Sequence, residues 1–203
     1  MKHQPLTPGE KAHMFKFKFN KTVPNKDRKE LRSYLHKVSF NINEAYVRLS
    51  VVEYIYPKNK GSAGLAKKGY SYLLMSSVEL LMLAIRKLFD RSSTRSARAL
   101  VQVFVLKGKR EEWIAKIDDT LKPYKKFIDK MVVHQDELAL MEVVDIPTSG
   151  QIRSDLDFIT DVYSAICQSY CTINRNGIVN CIGIDKTPMS EVSSLRLLLE
   201  GKG

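Results

Sequence analysis

From Leu31 to Ile55, apolar residues recur at spacings of three and four: Leu31, Leu35, Val38, Ile42, Ala45, Leu49, Val52 and Ile55. That period puts all eight on one face of a helix about seven turns long, an arrangement no strand can reproduce. A helix of this length must bury its stripe against several partners, which restricts the chain to helical packing. Asn25 is placed to cap the helix and Pro57 to close it. Beyond lies Lys58 to Gly69, rich in Gly and Lys, which reads as a flexible basic loop.

The same period returns downstream. A second helix is expected from about Tyr70 to Asp90, with Leu73, Leu74, Val78, Leu81, Ile85 and Leu88 turned inward. Ser92-Ser93-Thr94 breaks the pattern, and a third helix runs from Arg95 to Lys107 and ends at Gly108. Residues 110–133 carry Trp113, Ile117, Leu121, Tyr124, Ile128 and Met131 in helical register. Pro123 lies inside this run, and its missing N–H and ring bulk predict a kink or a boundary there. A further helix covers about Gln151 to Ile173, stopped by Asn176-Gly177. Thr187-Pro188-Met189-Ser190-Glu191 opens the last one, with Thr187 and Ser190 as alternative caps. The fold class is therefore all-α, a bundle of four to five main helices.

The charge is unevenly placed. The 203 residues carry a formal +11, and residues 1–37 hold ten Lys and Arg against three Asp and Glu. Residues 1–25 read as a basic N-terminal arm and 26–203 as one helical domain. Such asymmetry points to an anionic partner, nucleic acid ahead of a membrane surface, or else to a solvated arm. In the arm Phe15, Phe17 and Phe19 alternate with Lys16 and Lys18. That strand-like spacing either packs the arm on its own domain or offers rings and ammonium groups to single-stranded nucleic acid. No uncharged run approaches the ~20 residues of a membrane span, so no membrane partner is expected. The N-terminus shows no apolar signal core, and three cysteines make no disulfide framework, so the expected compartment is the cytoplasm.

Two segments carry candidate chemistry. One is Phe127-Ile128-Asp129-Lys130-Met131-Val132-Val133-His134, in and after the fourth helical run; the other is Arg86-Lys87-Leu88-Phe89-Asp90-Arg91, at the end of the second. Cleavage of RNA without a metal needs a group to move the 2′-hydroxyl proton and a cation to hold the phosphate, roles suited to His and Arg. Lys130 precedes His134 by four residues on the same helical face. A lone His at a helix end also serves simply by bonding a carbonyl or meeting the helix dipole. Arg86 and Asp90 are spaced i, i+4, an ion pair worth about 0.3–0.5 kcal/mol when exposed. Arg91, Arg95 and Arg98 form a basic cluster at the next helix start.

Together these segments resemble the core of HEPN domains (higher eukaryotes and prokaryotes nucleotide-binding), most closely the abortive-infection U-type branch. The resemblance spans roughly residues 30–200. It implies a helical bundle that pairs two-fold and acts in RNA biology or phage defence, including toxin–antitoxin systems. In many members an Arg precedes the His by four to six intervening residues, places held here by Asp129, Ile128 and Phe127. The resemblance transfers a catalytic role to His134 and a supporting one to Asp129, with Lys130 as the substitute cation and Ile128 in the arginine's place. Arg86, Arg91, Arg95, Arg98, Lys16 and Lys18 are the candidate nucleic-acid contacts. Three readings follow: an RNA-binding member with catalysis lost or weak; a metal-independent endoribonuclease using His134 with Lys130 or a nearby Arg; and a dimeric protein-interaction module that binds no nucleic acid.

Cys167 and Cys171 share a helical face and Cys181 follows, but no His lies near them in sequence, so small buried hydrophobes are the expected role. His3, His13 and His36 have no ligand spacing, and no phosphate-binding glycine loop occurs. Neither a metal nor a cofactor is expected.

Overall fold

The computed structural model describes residues 17–89, 96–105, 107–128, 147–172 and 183–199. These residues form six helices: α1 (Asn25–Gly61), α2 (Gly64–Phe89), α3 (Ala97–Phe104), α4 (Lys107–Phe127), α5 (Ser149–Tyr170) and α6 (Met189–Leu199). The fold is an all-α bundle in which α1, α2, α4 and α5 are the long members. Among the described residues no helix is long and apolar enough to cross a membrane.

The stripe read from the sequence is the stripe that packs. Leu31, Leu35, Val38, Ile42, Ala45, Leu49 and Ile55 of α1 are all buried, and Val52 is half-buried against the same core. On α5, Ile152, Leu156, Ile159, Val162 and Ile166 are buried, and the side-chain oxygen of Thr148 accepts the Gln151 N–H to cap the helix. Cys167 and Cys171 are buried in the same core. Ser96 caps α3 in the same way, accepting from Ala99 N–H.

The ends of α1 differ from expectation. Pro24 occupies the cap position and its carbonyl accepts from Asp27 and Arg28, so Asn25 is already helical. Pro57 does not close the helix, which continues to Gly61, and Pro123 likewise lies within α4. Both prolines are exposed. Water can satisfy the carbonyl each leaves unpaired, and the buried stripe on the opposite side is undisturbed. The expected loop at 58–69 is instead a turn of two residues, Ser62-Ala63, between antiparallel helices. Ser62 hydroxyl donates to the Lys58 carbonyl, Ser71 hydroxyl donates to Asn59 Oδ1, and Gly64 takes φ +56° to enter α2. Leu73, expected to face inward, is 41% exposed. At the other end of the chain, α6 begins at Met189, so Ser190 is inside the helix and is not its cap.

The N-terminal segment joins the core. Phe17 and Val23 are buried, and the Phe17 and Phe19 rings stack at 6.2 Å. Lys18 carbonyl accepts the Thr172 N–H at 2.7 Å and Tyr170 carbonyl accepts the Asn20 N–H at 2.9 Å. A short antiparallel bridge at Phe19 and Cys171 thereby ties residues 17–20 to the end of α5. Phe15 and Lys16 lie outside the described residues.

A pair of substitutions separates the turn from the helix. Alanine at Gly64 meets no atom within 4 Å, so its cost is purely the left-handed backbone, about 1–2 kcal/mol. Gly69 is helical with open space at its Cβ, so Gly69→Ala should stabilise by about 0.5–1 kcal/mol. Urea unfolding of the two variants should move the midpoint in opposite directions.

Candidate nucleic-acid-binding face

The first four turns of α1 sort their charges by face. Asn25, Arg28, Lys29, Arg32, Ser33, His36 and Lys37 line one groove. Their spacings of three and four set them along about 18 Å of helix. Phe40, 63% exposed, continues the row. Asp27 and Glu30, the acids of this stretch, line a different groove with Val103, Phe104 and Tyr170. The basic row is therefore not neutralised along its own length. Its field is a strip of positive potential, to which exposed Lys18 and Lys21 add from the preceding segment.

Two of the arginines are held in place. Arg28 donates from Nε to the Val23 carbonyl at 2.9 Å and from Nη2 to the Asn20 carbonyl at 3.3 Å. Arg32 lies over the Phe19 ring, 5.6 Å from its centroid. The guanidinium keeps donors available while the ring restricts its position. Lys29, Arg32 and Ser33 are exposed, and His36 and Lys37 are half-buried. Cations that can meet phosphates thus alternate with a hydroxyl and end at an exposed aromatic ring, a combination suited to a single-stranded backbone and its bases.

The sequence-predicted residues fall differently. Lys18 is exposed, and its carbonyl is used in the bridge to Thr172. Arg86 is exposed on α2. Arg98 is half-buried, with Nε 3.2 Å from Asp118, tying α3 to α4. Of the motif around Arg86, Lys87 pairs with Glu44 of α1 at 3.3 Å and Phe89 stacks on Tyr124 of α4 at 6.4 Å. The end of α2 thereby meets the end of α4. Ile128, in the place of the family arginine, is 2% exposed and belongs to the apolar core. His134, Asp129, Lys130, Arg91, Arg95 and Lys16 lie outside the described residues. Sequence counting found the basic excess in 1–37 but missed the row Lys29, Arg32, His36 and Lys37. Its signal was the helical spacing of the cations opposite Leu31, Leu35 and Val38.

A second polar constellation joins α1, α5 and residues 183–188. Tyr46 hydroxyl donates to Asp157 at 2.7 Å, Lys186 Nζ meets the same carboxylate at 2.7 Å, and Arg153 bridges Glu53 and the Lys186 carbonyl. Asn43 donates to the Gly183 carbonyl and accepts from Asp185 N–H. On the other side of α5, Tyr124 hydroxyl donates to Asp155 at 2.6 Å. These groups satisfy one another, so the cluster acts as a lock between elements. The Lys186 hydrogen bond, aided by Tyr46 and the charges of Lys186 and Arg153, holds Asp157 below the usual carboxylate range against the opposing effect of burial. Burial, reinforced by the neighbouring aspartates, pushes both Tyr46 and Tyr124 upward. Among the described residues no group of three or more His, Cys, Asp or Glu is gathered to hold a metal.

No protein-family model, curated protein or solved structure matches the chain.

The shifts set opposite pH limits. Asp157 contributes stability that is complete above the ordinary carboxylate value of ~4 and is lost as pH falls through its lowered one. The tyrosines contribute stability that is complete below ~10 and is lost as pH rises through their raised values. Tyr46→Phe and Tyr124→Phe should each lower stability at neutral pH by about 1–2 kcal/mol and flatten its alkaline decline, measured by denaturation at stepped pH.

Proposed function

We propose that this chain is an RNA-binding protein of HEPN-like type, serving phage defence or a toxin–antitoxin pair, with catalysis lost or weak. The observation that carries RNA binding is the uninterrupted basic row Lys29, Arg32, His36 and Lys37 on α1, with the acids turned to another groove and Phe40 at its end. The HEPN-like reading draws on the two sequence segments. It is supported by the meeting of α2 and α4 through Phe89 and Tyr124 near the place where each segment begins.

Weak or absent catalysis follows from Ile128. An arginine serving a phosphate must reach solvent and keep its fork free, and a side chain 2% exposed in the core does neither. Any cleavage by His134 then depends on Lys130, which supplies a point charge without bidentate geometry, or on a nearby arginine from another segment.

Single-stranded RNA titrated against the protein over a range of salt tests the binding. Each phosphate contact contributes about 0.7 to the slope of log affinity against log salt, so replacing Lys29, Arg32 and Lys37 together by Ala should reduce that slope by roughly 2. An unchanged slope and affinity would remove this face from RNA binding. Incubation of mixed RNAs in EDTA with wild type and His134→Ala should give little or no cleavage by either. Strong cleavage by wild type that His134→Ala abolishes would instead make the protein a metal-independent endoribonuclease.

A further inference from the structure

Between Glu53 and Glu79 the sequence holds four lysines, four tyrosines and no acid. The chain folds this stretch into the tip of the α1–α2 hairpin. Glu53, at its border, is taken up by Arg153 of α5. Lys58 lies over the Tyr54 ring at 4.8 Å, and Lys60, Lys67 and Lys68 are exposed around the Ser62-Ala63 turn. Beside these cations the tip shows apolar side chains to water: Leu65 is 86% exposed, Tyr72 75% and Tyr56 58%. Leu65 and Tyr72 are two turns apart on one line of α2, about 10 Å. The hydrogen bonds of Ser62 to Lys58 and of Ser71 to Asn59 fix the turn, so all these groups stand on an ordered edge.

The geometry points to an anionic membrane surface as the partner of this tip. Leu65 and Tyr72 enter the headgroup layer, and Lys60, Lys67 and Lys68 meet the lipid phosphates and carboxylates. The absence of a membrane-crossing helix among the described residues does not bear on this, because a peripheral contact needs only an apolar edge with cations beside it. Such a contact buries apolar groups about 5–10 Å deep. Leu65 and Tyr72 fit within that depth when α2 enters at a slant. Glu79 lies fourteen residues beyond Leu65, about 21 Å along the helix, and stays in water. Tyrosine brings a ring for the interface and a hydroxyl for the headgroups, while lysine lays its stem along apolar groups and keeps its ammonium wet.

Two features set this surface apart from the RNA-binding face. Leu65 has no π face and gains nothing by stacking on a base. The tip is convex, whereas the basic row of α1 lines a groove. Lys37, the last cation of that row, lies twenty-one residues before Lys58, about 32 Å along α1. The membrane contact therefore uses none of the residues of RNA binding and does not rest on it.

Sedimentation of the full chain with vesicles tests it, comparing phosphatidylserine mixed into phosphatidylcholine with phosphatidylcholine alone. The chain should sediment with the first and not with the second. Lys67→Ala and Lys68→Ala together should weaken binding roughly twentyfold, since each lysine near an anionic surface contributes about fivefold. Leu65→Asp and Tyr72→Asp should each weaken it roughly tenfold or more, with helicity unchanged because both positions are exposed. Replacing Lys29, Arg32 and Lys37 by Ala should leave most of the binding in place. Leu65→Trp should add a blue-shifted emission on the anionic vesicles that the wild type, with Trp113 alone, does not show. No sedimentation with anionic vesicles at low salt overturns the proposal. So does binding that ignores the tip variants and follows the α1 row. Tip variants that lose RNA affinity with vesicle binding unchanged would assign the tip to RNA instead.

Discussion

Two tyrosine hydroxyls grip α5 from opposite sides, and the remaining elements take their places from that grip. Tyr46 reaches from α1 to Asp157, and Tyr124 reaches from α4 to Asp155. The two aspartates are two residues apart, which on a helix points them in nearly opposite directions. Apolar burial drives the helices together, but it tolerates sliding, since one buried Leu row packs on another in several registers. A buried hydroxyl that must meet a carboxylate does not tolerate it. Phe89 stacked on Tyr124 carries the same constraint to the end of α2, and Lys186 on Asp157 carries it to the segment before α6.

That arrangement decides which surfaces are left over. The first half of α1 is closed on one side by the core and by the 17–24 segment, which Arg28 and the bridge to Cys171 hold down. What remains outward is the basic row. Further along, α2 keeps Leu65, Tyr72, Leu73, Met75 and Leu80 exposed on the side away from the core. The polar side of α1 and the apolar side of α2 are thus built from different residues.

The sequence was most legible where a single face carries the information. The repeat in α1 needs only a helical period to be read, and of its eight apolar positions from Leu31 to Ile55 all are buried except Val52, which is half-buried. Prolines and glycines were less legible, because their effect depends on exposure. Pro57 and Pro123 sit on solvent sides where a lost backbone bond is tolerated, and Gly69 is a helix residue with open space at its Cβ. Leu73 was misplaced because an inward residue needs something to turn toward, and the length of the bundle around a hairpin is not written locally. The basic excess of 1–37 was visible as a count. Its separation from Asp27 and Glu30 required the orientation of α1, which the tyrosine contacts and apolar packing set at long range.

The most direct measurement is a map of backbone amide shifts in the full chain on adding a short single-stranded RNA at low salt. The account expects the changes to concentrate on residues 25–40 and on Lys18 and Lys21, with the lysines around the Ser62-Ala63 turn unmoved. Changes confined to residues 58–68, or none at all, would contradict it.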